Sequence, residues 1–424
     1  MTGVRAGVGH ATGGDARAAG REAAETAVGR LEGAPTVAYA FGSSVYDQQA
    51  LLAGINDRLD CSVVGGSTAG EIAHGETHTE SVVVLALAGD GVRAGTGAAP
   101  PFDEHPRRSG MEAASEAAAA LRESRDGESD AVSVSATVQE GDRWRWYPKT
   151  LVNAFGPGLT GSQEWAVIGV QDALGWAHVA GGFAGDDWKL DRTHVYRDEE
   201  VLDDQMVVSA LDVDVKTGIG LGCGHRETEH TFTVTDVEDN RIYELDGRPP
   251  LSIYRDLYGD RVDQEQFLMT RPLGLTGGDG DPRVIQLTHV EGDDGSLLAI
   301  ETPIEEGDRL TILDTSAEAI RSGVETAVDE AMVAAGDPDD IAALLIYDCH
   351  TRWYHLSTEE ARNAELDVIR ERVGEDVPIA GFYSYGEIAT PNPLWRDDPQ
   401  ERTANRQGHH QQSIVVEVLS NEPL

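Results

Sequence analysis

VVGGSTAGE (Val63–Glu71), followed ten residues later by the apolar run SVVVLAL (Ser81–Leu87), is the stretch on which the fold turns, because the chain repeats it twice. The second copy is HVAGGFAGD (His178–Asp186) with QMVVSAL (Gln205–Leu211), and the third is IAGFYSYGE (Ile379–Glu387) with SIVVEVL (Ser413–Leu419). In each copy a β-branched run enters a turn of small residues that ends in Gly and a carboxylate. A second buried strand follows after a loop that lengthens from copy to copy, as surface loops tolerate.

Working outward, a strand at Thr36–Gly42 and a helix at Asp47–Leu59 precede the first copy. A strand and a long helix within Ile341–Val373 precede the third. Periodicity further predicts a strand near Val92–Gly97, an alanine-rich helix at Ser109–Arg122, a strand at Ala131–Thr137 and a helix near Pro148–Phe155. Trp165–Val170 reads as a buried strand, and residues 1–20 as a loose Gly/Ala arm before a helix near Arg21–Leu31. In the β-rich stretch Thr217–Asp246, Gly218, Gly220, Gly222 and Gly224 alternate with Ile219, Leu221 and Cys223, the pattern of a strand that something approaches closely on one face. The segment Asp246–Gly259 reads as a turn in which proline opens a helix. The fold class expected is α+β: two related halves of repeated strand-helix-strand-strand units, with largely antiparallel sheets covered by helices. The domains expected are an arm and helix over 1–34, then 35–240 and 241–424.

The 424 residues carry 75 acidic and 33 basic side chains, a formal charge of −42. The three lysines are Lys149, Lys189 and Lys216. Charge of this size strains a compact state by self-repulsion unless salt screens it, and at ~1 M the Debye length falls to ~3 Å. The acids are spread from Glu22 to Glu422 rather than blocked, so the composition reads as a halophilic, archaeal-type surface. No basic patch is present for nucleic acid. No apolar run reaches the ~18 residues of a membrane span, and the N-terminus lacks the apolar core of a signal peptide, so a cytoplasmic protein without membrane insertion is expected. Cys61, Cys223 and Cys349 are far apart and read as reduced thiols.

VVGGSTAGEIAHGETHTESVVVLAL and HVAGGFAGDDW resemble the two halves of the N-terminal domain of the FIST family. FTVTDVEDNRIYELDGRPPLSIYRDLYG is similar to the junction into the C-terminal FIST domain, and LLIYDCHTRW, PIAGFYSYGEI and HHQQSIVVEVL resemble that domain's signature. The chain departs from the pattern at His410, Gln411, Gln412 and Ser413, where an aromatic-rich His-Asn-Gln-Thr type stretch is usual. The resemblance implies a cytoplasmic sensory module for signal transduction that binds a small molecule such as an amino acid. It also implies a separate signalling output protein as partner. The alternatives it leaves are a protein-interaction scaffold without ligand and a haem-dependent sensor of nitric oxide. No cofactor is expected; haem stays open only under the gas-sensor alternative, because one axial histidine suffices.

The candidate ligand-binding residues lie in and beside the repeat turns: Ser67, Thr68, Gly70 and Glu71 in the first copy, and Tyr383, Tyr385, Gly386 and Glu387 in the third. A carboxylate beside a glycine turn can hold a ligand's amino group or accept hydrogen bonds from its own turn, and Asp186 is the weaker counterpart. Ser384, like Ser67 and Thr68, offers a hydroxyl that can contact ligand or cap the turn. Tyr383 and Tyr385, two apart, offer stacking surface, or core packing. Cys349 and Arg352 follow a buried strand, and Arg352 can clamp a carboxylate or pair with one of the surplus acids. Gly-Lys, GxGxxG, GxSxG and HExxH are all absent, so the sequence reads as a non-enzyme. His74 and His78 are four apart, but Gly75 between them argues against a helix presenting both to zinc.

Overall fold

A strand with glycine at every second position has a bare face against which a helix backbone can lie, and this chain uses the device three times. The strands are β1 (Arg5–Thr12), β7 (Arg93–Ala99) and β15 (Val215–Gly222), and the helices on them are α1 (Ala16–Arg30), α3 (Pro106–Glu123) and α7 (Ala317–Ala334). A Cβ built on Gly9, Gly97 or Gly220 would lie 1.9, 2.2 and 1.9 Å from a carbonyl oxygen of the facing helix. Only hydrogen fits in that space, and alanine dominates the helix side for the same reason. The computed structural model describes residues 3–125, 135–140, 143–175, 177–264, 267–275, 282–290, 294–390 and 408–424.

Each glycine strand opens one of three units. Unit one continues with β2 (Val37–Ser43), α2 (Gln48–Asn56), β3 (Ser62–Thr68), the hairpin β4 (Glu71–Ala73) and β5 (Glu76–His78), and β6 (Ser81–Ala88). Unit two has the hairpin β8 (Ser135–Glu140) and β9 (Arg143–Pro148), then β10 (Thr150–Gly156), α4 (Gln163–Leu174), β11 (His178–Phe183), the hairpin β12 (Val195–Arg197) and β13 (Glu200–Leu202), and β14 (Met206–Asp212). After β15, unit three carries an insertion of β16 (His225–Glu238), β17 (Arg241–Leu245), α5 (Pro250–Tyr258), α6 (Phe267–Thr270), β18 (Leu273–Leu275), β19 (Arg283–Ile285), β20 (Leu287–His289), β21 (Leu297–Ala299) and β22 (Arg309–Thr315). These strands form a seven-stranded sheet with its own core around Tyr254, Leu273 and Leu310. Beyond α7 come β23 (Ile341–Cys349), α8 (His350–His355), α9 (Glu359–Val373), β24 (Ile379–Ser384), β25 (Glu387–Ala389), β26 (His409–His410) and β27 (Ile414–Pro423).

The three main sheets have one topology: β1-β6-β2-β3-β12-β13, β7-β14-β10-β11-β25-β26 and β15-β27-β23-β24-β4-β5. In each, a single parallel pair (β2–β3, β10–β11 or β23–β24) sits among antiparallel neighbours. The last hairpin of each sheet comes from another unit, so the three units exchange hairpins in a ring. Their inner faces meet in a common core of Tyr39, Phe41, Phe155, Tyr347 and Phe382, while the helices cover the outer faces. The chain is therefore α+β with helix-covered, largely antiparallel sheets.

Most predicted elements are present, with local corrections. Residues 5–12 form β1 rather than a loose arm, because strand β6 pairs with them along their whole length and α1 covers their glycines. The helix expected near Pro148–Phe155 is strand β10, buried on both faces, and the strand expected at Trp165–Val170 lies within α4. A fully buried strand and a buried helix both read as unbroken apolar runs, so periodicity alone cannot separate them. Of the strand expected at Ala131–Thr137, residues 131–134 lie outside the described residues, and β8 starts at Ser135. Among the described residues no helix is long and apolar enough to cross a membrane.

Candidate functional site

The parallel strands deliver their turns to one end of the molecule, where units meet. Glu71 and Glu387 begin the exchanged hairpins β4 and β25. They face equivalent partners, Phe382 on β24 and Gly182 on β11. Each is fully buried and accepts from the hydroxyl three residues earlier and from a serine at or just before the start of the strand that follows the hairpin. For Glu71 the donors are Thr68 Oγ1, Ser81 N (3.2 Å) and Ser81 Oγ (2.6 Å). For Glu387 they are Ser384 Oγ (2.7 Å), Ser413 N (3.1 Å) and Ser413 Oγ (2.8 Å). Burial pushes both carboxyls up to about 8.

The other candidates divide by direction. Ser67, also buried, donates to Gly185 O (2.7 Å) and accepts from His194 N (2.9 Å), binding unit one to the loop that follows β11. Gly70 packs between Trp353 and Tyr383, whose hydroxyl lies 3.0 Å from Thr77 Oγ1. Tyr385 donates to Asp186 Oδ1 (2.7 Å) and accepts from Trp188 N (2.8 Å). Gly386 faces Gln163 and His409 at the junction of units two and three. Arg352 is buried and turned away, its guanidinium joined to Asp348 (2.7 Å), Glu365 and Cys223 O (3.0 Å). Cys349 is buried at the start of α8, and desolvation raises its thiol well above the ordinary range. The structure thus brings Gly70, Tyr383 and Tyr385 beside an aromatic group of Trp188, His350, Trp353 and Tyr354. It keeps Arg352 apart, and places Glu71 and Glu387 at two different junctions.

A cleft of about 540 Å³ opens between the β2–α2 turn of unit one and residues 186–203 of unit two. Ser44, Asp47 and Gln48 line one side, and Asp186, Lys189, Asp191, Arg192, His194 and Asp203 the other. Of the residues weighed from sequence, Asp186 alone lines it. Its carboxylate is buried and accepts from Leu190 N (3.0 Å), Asp191 N (2.7 Å) and Arg192 N (3.1 Å), so it shapes the loop. Arg192 and His194 share Asp203, with His194 Nδ1 at 2.5 Å. Lys189 Nζ donates to Ser44 Oγ (2.8 Å) and pairs with no carboxylate among the described residues. Sequence reasoning missed this site because its two walls are ~140 residues apart. The one available signal was a lysine in a chain that has three. No cluster of three or more His, Cys, Asp or Glu able to hold a metal ion occurs among the described residues. His74 instead contacts Arg30 Nη1 at 2.6 Å.

Three helix-covered sheets that exchange hairpins, with a polar cleft between the first two units, define an α+β protein of repeated units. The chain belongs to the FIST family: the FIST N domain matches residues 36–248 and the FIST C domain residues 250–390. FIST domains are sensory, signal-transduction domains. An uncharacterized protein of Methanocaldococcus jannaschii is 26% identical over 237 residues, which is 49% of this chain and 44% of that protein. An uncharacterized protein of Mycobacterium tuberculosis is 26% identical over 220 residues, 50% of this chain and 55% of that protein. The chain thus matches about half the length of these curated relatives. Among solved structures, the cyanuric acid hydrolase from A. caulinodans is 11% identical with a TM-score of 0.37, covering 99% of this chain and 100% of that one. A second cyanuric acid hydrolase structure is 12% identical, with a TM-score of 0.33 and the same coverage. The sequence reads as a non-enzyme, but these two solved structures, which run the length of the chain, are those of enzymes, and that expectation does not stand. A likeness of this depth carries no reaction, substrate or residue role to this chain.

Proposed function

We propose that this FIST protein senses a small zwitterionic metabolite, such as an amino acid, in the cleft between units one and two, and signals to a separate output protein. The observation that supports the reading is Lys189: in a chain of charge −42 its ammonium lines an open cleft with a serine, not a carboxylate, as partner. A ligand carboxylate meets Lys189, and the ligand's ammonium meets Asp47 and Asp191, which form no ion pair among the described residues. The turn residues read from sequence act behind this surface. Ser67 and Tyr385 anchor the loop that carries Lys189, and Glu71 and Glu387 hold the hairpins in exchange.

The experiment is a thermal-shift screen of L-alanine, L-glutamate and L-lysine in molar KCl, since a ligand selective for the folded state raises stability with concentration. Titration calorimetry on Lys189→Gln follows, with affinity expected to fall at least tenfold and the melting temperature to stay within about 2 °C. No stabilising amino acid, or unchanged affinity in Lys189→Gln, counts against the cleft.

A further inference from the structure

The loop between β11 and β12 is held in a conformation its own residues disfavour. Asp187, Trp188 and Leu190 have φ of +54°, +60° and +53°, so three residues of four, none of them glycine, lie in the left-handed region. Such backbone persists only where its surroundings over-determine it. Three groups of contacts do so here, besides the Lys189 Nζ–Ser44 Oγ (2.8 Å) and Asp187 N–Thr68 O (3.0 Å) bonds to unit one. In unit one, Asp187 Oδ2 accepts from Ser43 Oγ (2.8 Å), Ser44 N (2.8 Å) and Ser44 Oγ (2.6 Å). Within the loop, Asp186 gathers the amides of Leu190, Asp191 and Arg192. In unit three, Tyr385 Oη holds Trp188 N, and the Trp188 ring stacks on His350 (centroids 5.3 Å apart, 27°) and meets Tyr354 edge-on at 5.1 Å. Lys189, between these ties, points into the cleft.

We propose that the loop Asp186–Asp191 is the transducer of the cleft, a strained strap that is shut but opens transiently in the empty protein and that a bound ligand holds shut, so that occupancy at Lys189 is passed to Trp188 and thence to α8 of unit three. This rests on the cleft reading for its ligand. The direction follows from geometry: a zwitterion bridging Lys189 on the loop and Asp47 on unit one replaces the single Lys189–Ser44 hydrogen bond with two charged contacts, and makes them in the closed arrangement only. The output leaves through unit three because Trp188 and Lys189 are adjacent in one short loop, so a backbone movement that carries Lys189 away from unit one also draws the indole from His350. Leu190 is 56% exposed, so its own side chain plays little part in the closure.

Hydrogen exchange of the full chain in molar KCl tests this. In the empty protein the amides of Leu190, Asp191 and Arg192 should exchange at least tenfold faster than those of the adjoining strand β11. Leu190→Asn, which tolerates the left-handed region, should slow them two- to fivefold. Asp187→Ala should speed them, and should also speed exchange in α8, a response that a purely local turn stabiliser would not produce. Saturating L-alanine, L-glutamate or L-lysine, whichever binds, should slow loop and α8 together. Loop amides as protected as β11, or α8 indifferent to Asp187→Ala, overturn the proposal. Binding with the loop unchanged overturns it while leaving the cleft reading intact. A loop that behaves as described in a protein that binds none of the three upholds the strap and removes the amino-acid reading.

Discussion

Glu71 and Glu387 lie 316 residues apart in the chain yet hold the same place in the fold. Each opens an exchanged hairpin, is fully buried, and accepts from a hydroxyl three residues back and from the serine at or just before the start of the strand that follows the hairpin. Their partners are all supplied by the protein. Glu387→Gln keeps one accepting oxygen and the side chain's shape, and is expected to cost about 1 kcal/mol or less. Glu387→Leu strands the Ser413 amide and hydroxyl and should cost about 2–4 kcal/mol. Denaturant midpoints of the two variants in molar salt check this; a Gln variant as damaged as the Leu variant would show that the charge itself is needed.

Stability should depend on pH with a definite sign. Burial raises Glu71 and Glu387 to about 8 and Glu417 to about 7, from an ordinary 4.5. The folded state therefore binds more protons than the unfolded one above pH ~4.5, and stability is lost as pH rises, by on the order of 1.4 kcal/mol per unit for each group until its folded pKa is passed. Burial also lowers His350 and His355 to about 4 and His225 to about 3, from 6.5. For these groups stability is complete above pH ~6.5 and is lost as pH falls. The two sets offset one another between about pH 4.5 and 6.5, so the profile should be flat there and decline on both sides. Urea midpoints from pH 4 to 9 at fixed salt provide the measurement, and a rise from pH 6.5 to 8 would contradict it.

Gly220→Ala should be among the most damaging single-methyl changes in the chain. The new Cβ would sit 1.9 Å from Ala327 O, so α7 has to lift from β15, at a cost of about 3 kcal/mol or more. Gly247, with nothing within 4 Å of a built Cβ but φ of +74°, is the control for backbone strain without packing. Equal losses in the two alanine variants would refute the close-packing account.

Arg352→Ala is expected to act on the fold rather than on ligand affinity. It leaves Asp348 and Glu365 buried without their cation, which should cost about 3–5 kcal/mol. A folded Arg352→Ala protein with normal stability and lost binding would restore the guanidinium to the site.

Dilution from molar to low-millimolar KCl should unfold or expand the protein, because a charge of −42 then repels itself over tens of ångströms. Circular dichroism unchanged across that range would remove the need for salt.

The repeats, the glycine-faced strand β15, the proline-opened helix α5 and the acidic surface could all be read from residue order, because alternation, small-residue turns and composition are local properties. Glu71 and Glu387 could be paired from sequence for the same reason. Their use as hairpin anchors could not, since Ser81 and Ser413 become partners only when the next strand folds back. β10 and α4 differ from their reading because a buried strand and the apolar stretch of a largely buried helix look alike as short apolar runs, and only the sheet beside β10 decides between them. The cleft, the strap loop and the exchange of hairpins were beyond any local reading. Ser44 and Lys189 are 145 residues apart, and Trp188 and His350 are 162 apart. They meet because each unit completes its neighbour's sheet, which places the turns of different units against each other. What the sequence determined by itself was the repeating element and the chemistry of its turns; which turns face one another, and which charged group is left to line a cleft, was decided by the tertiary packing of three sheets around one core.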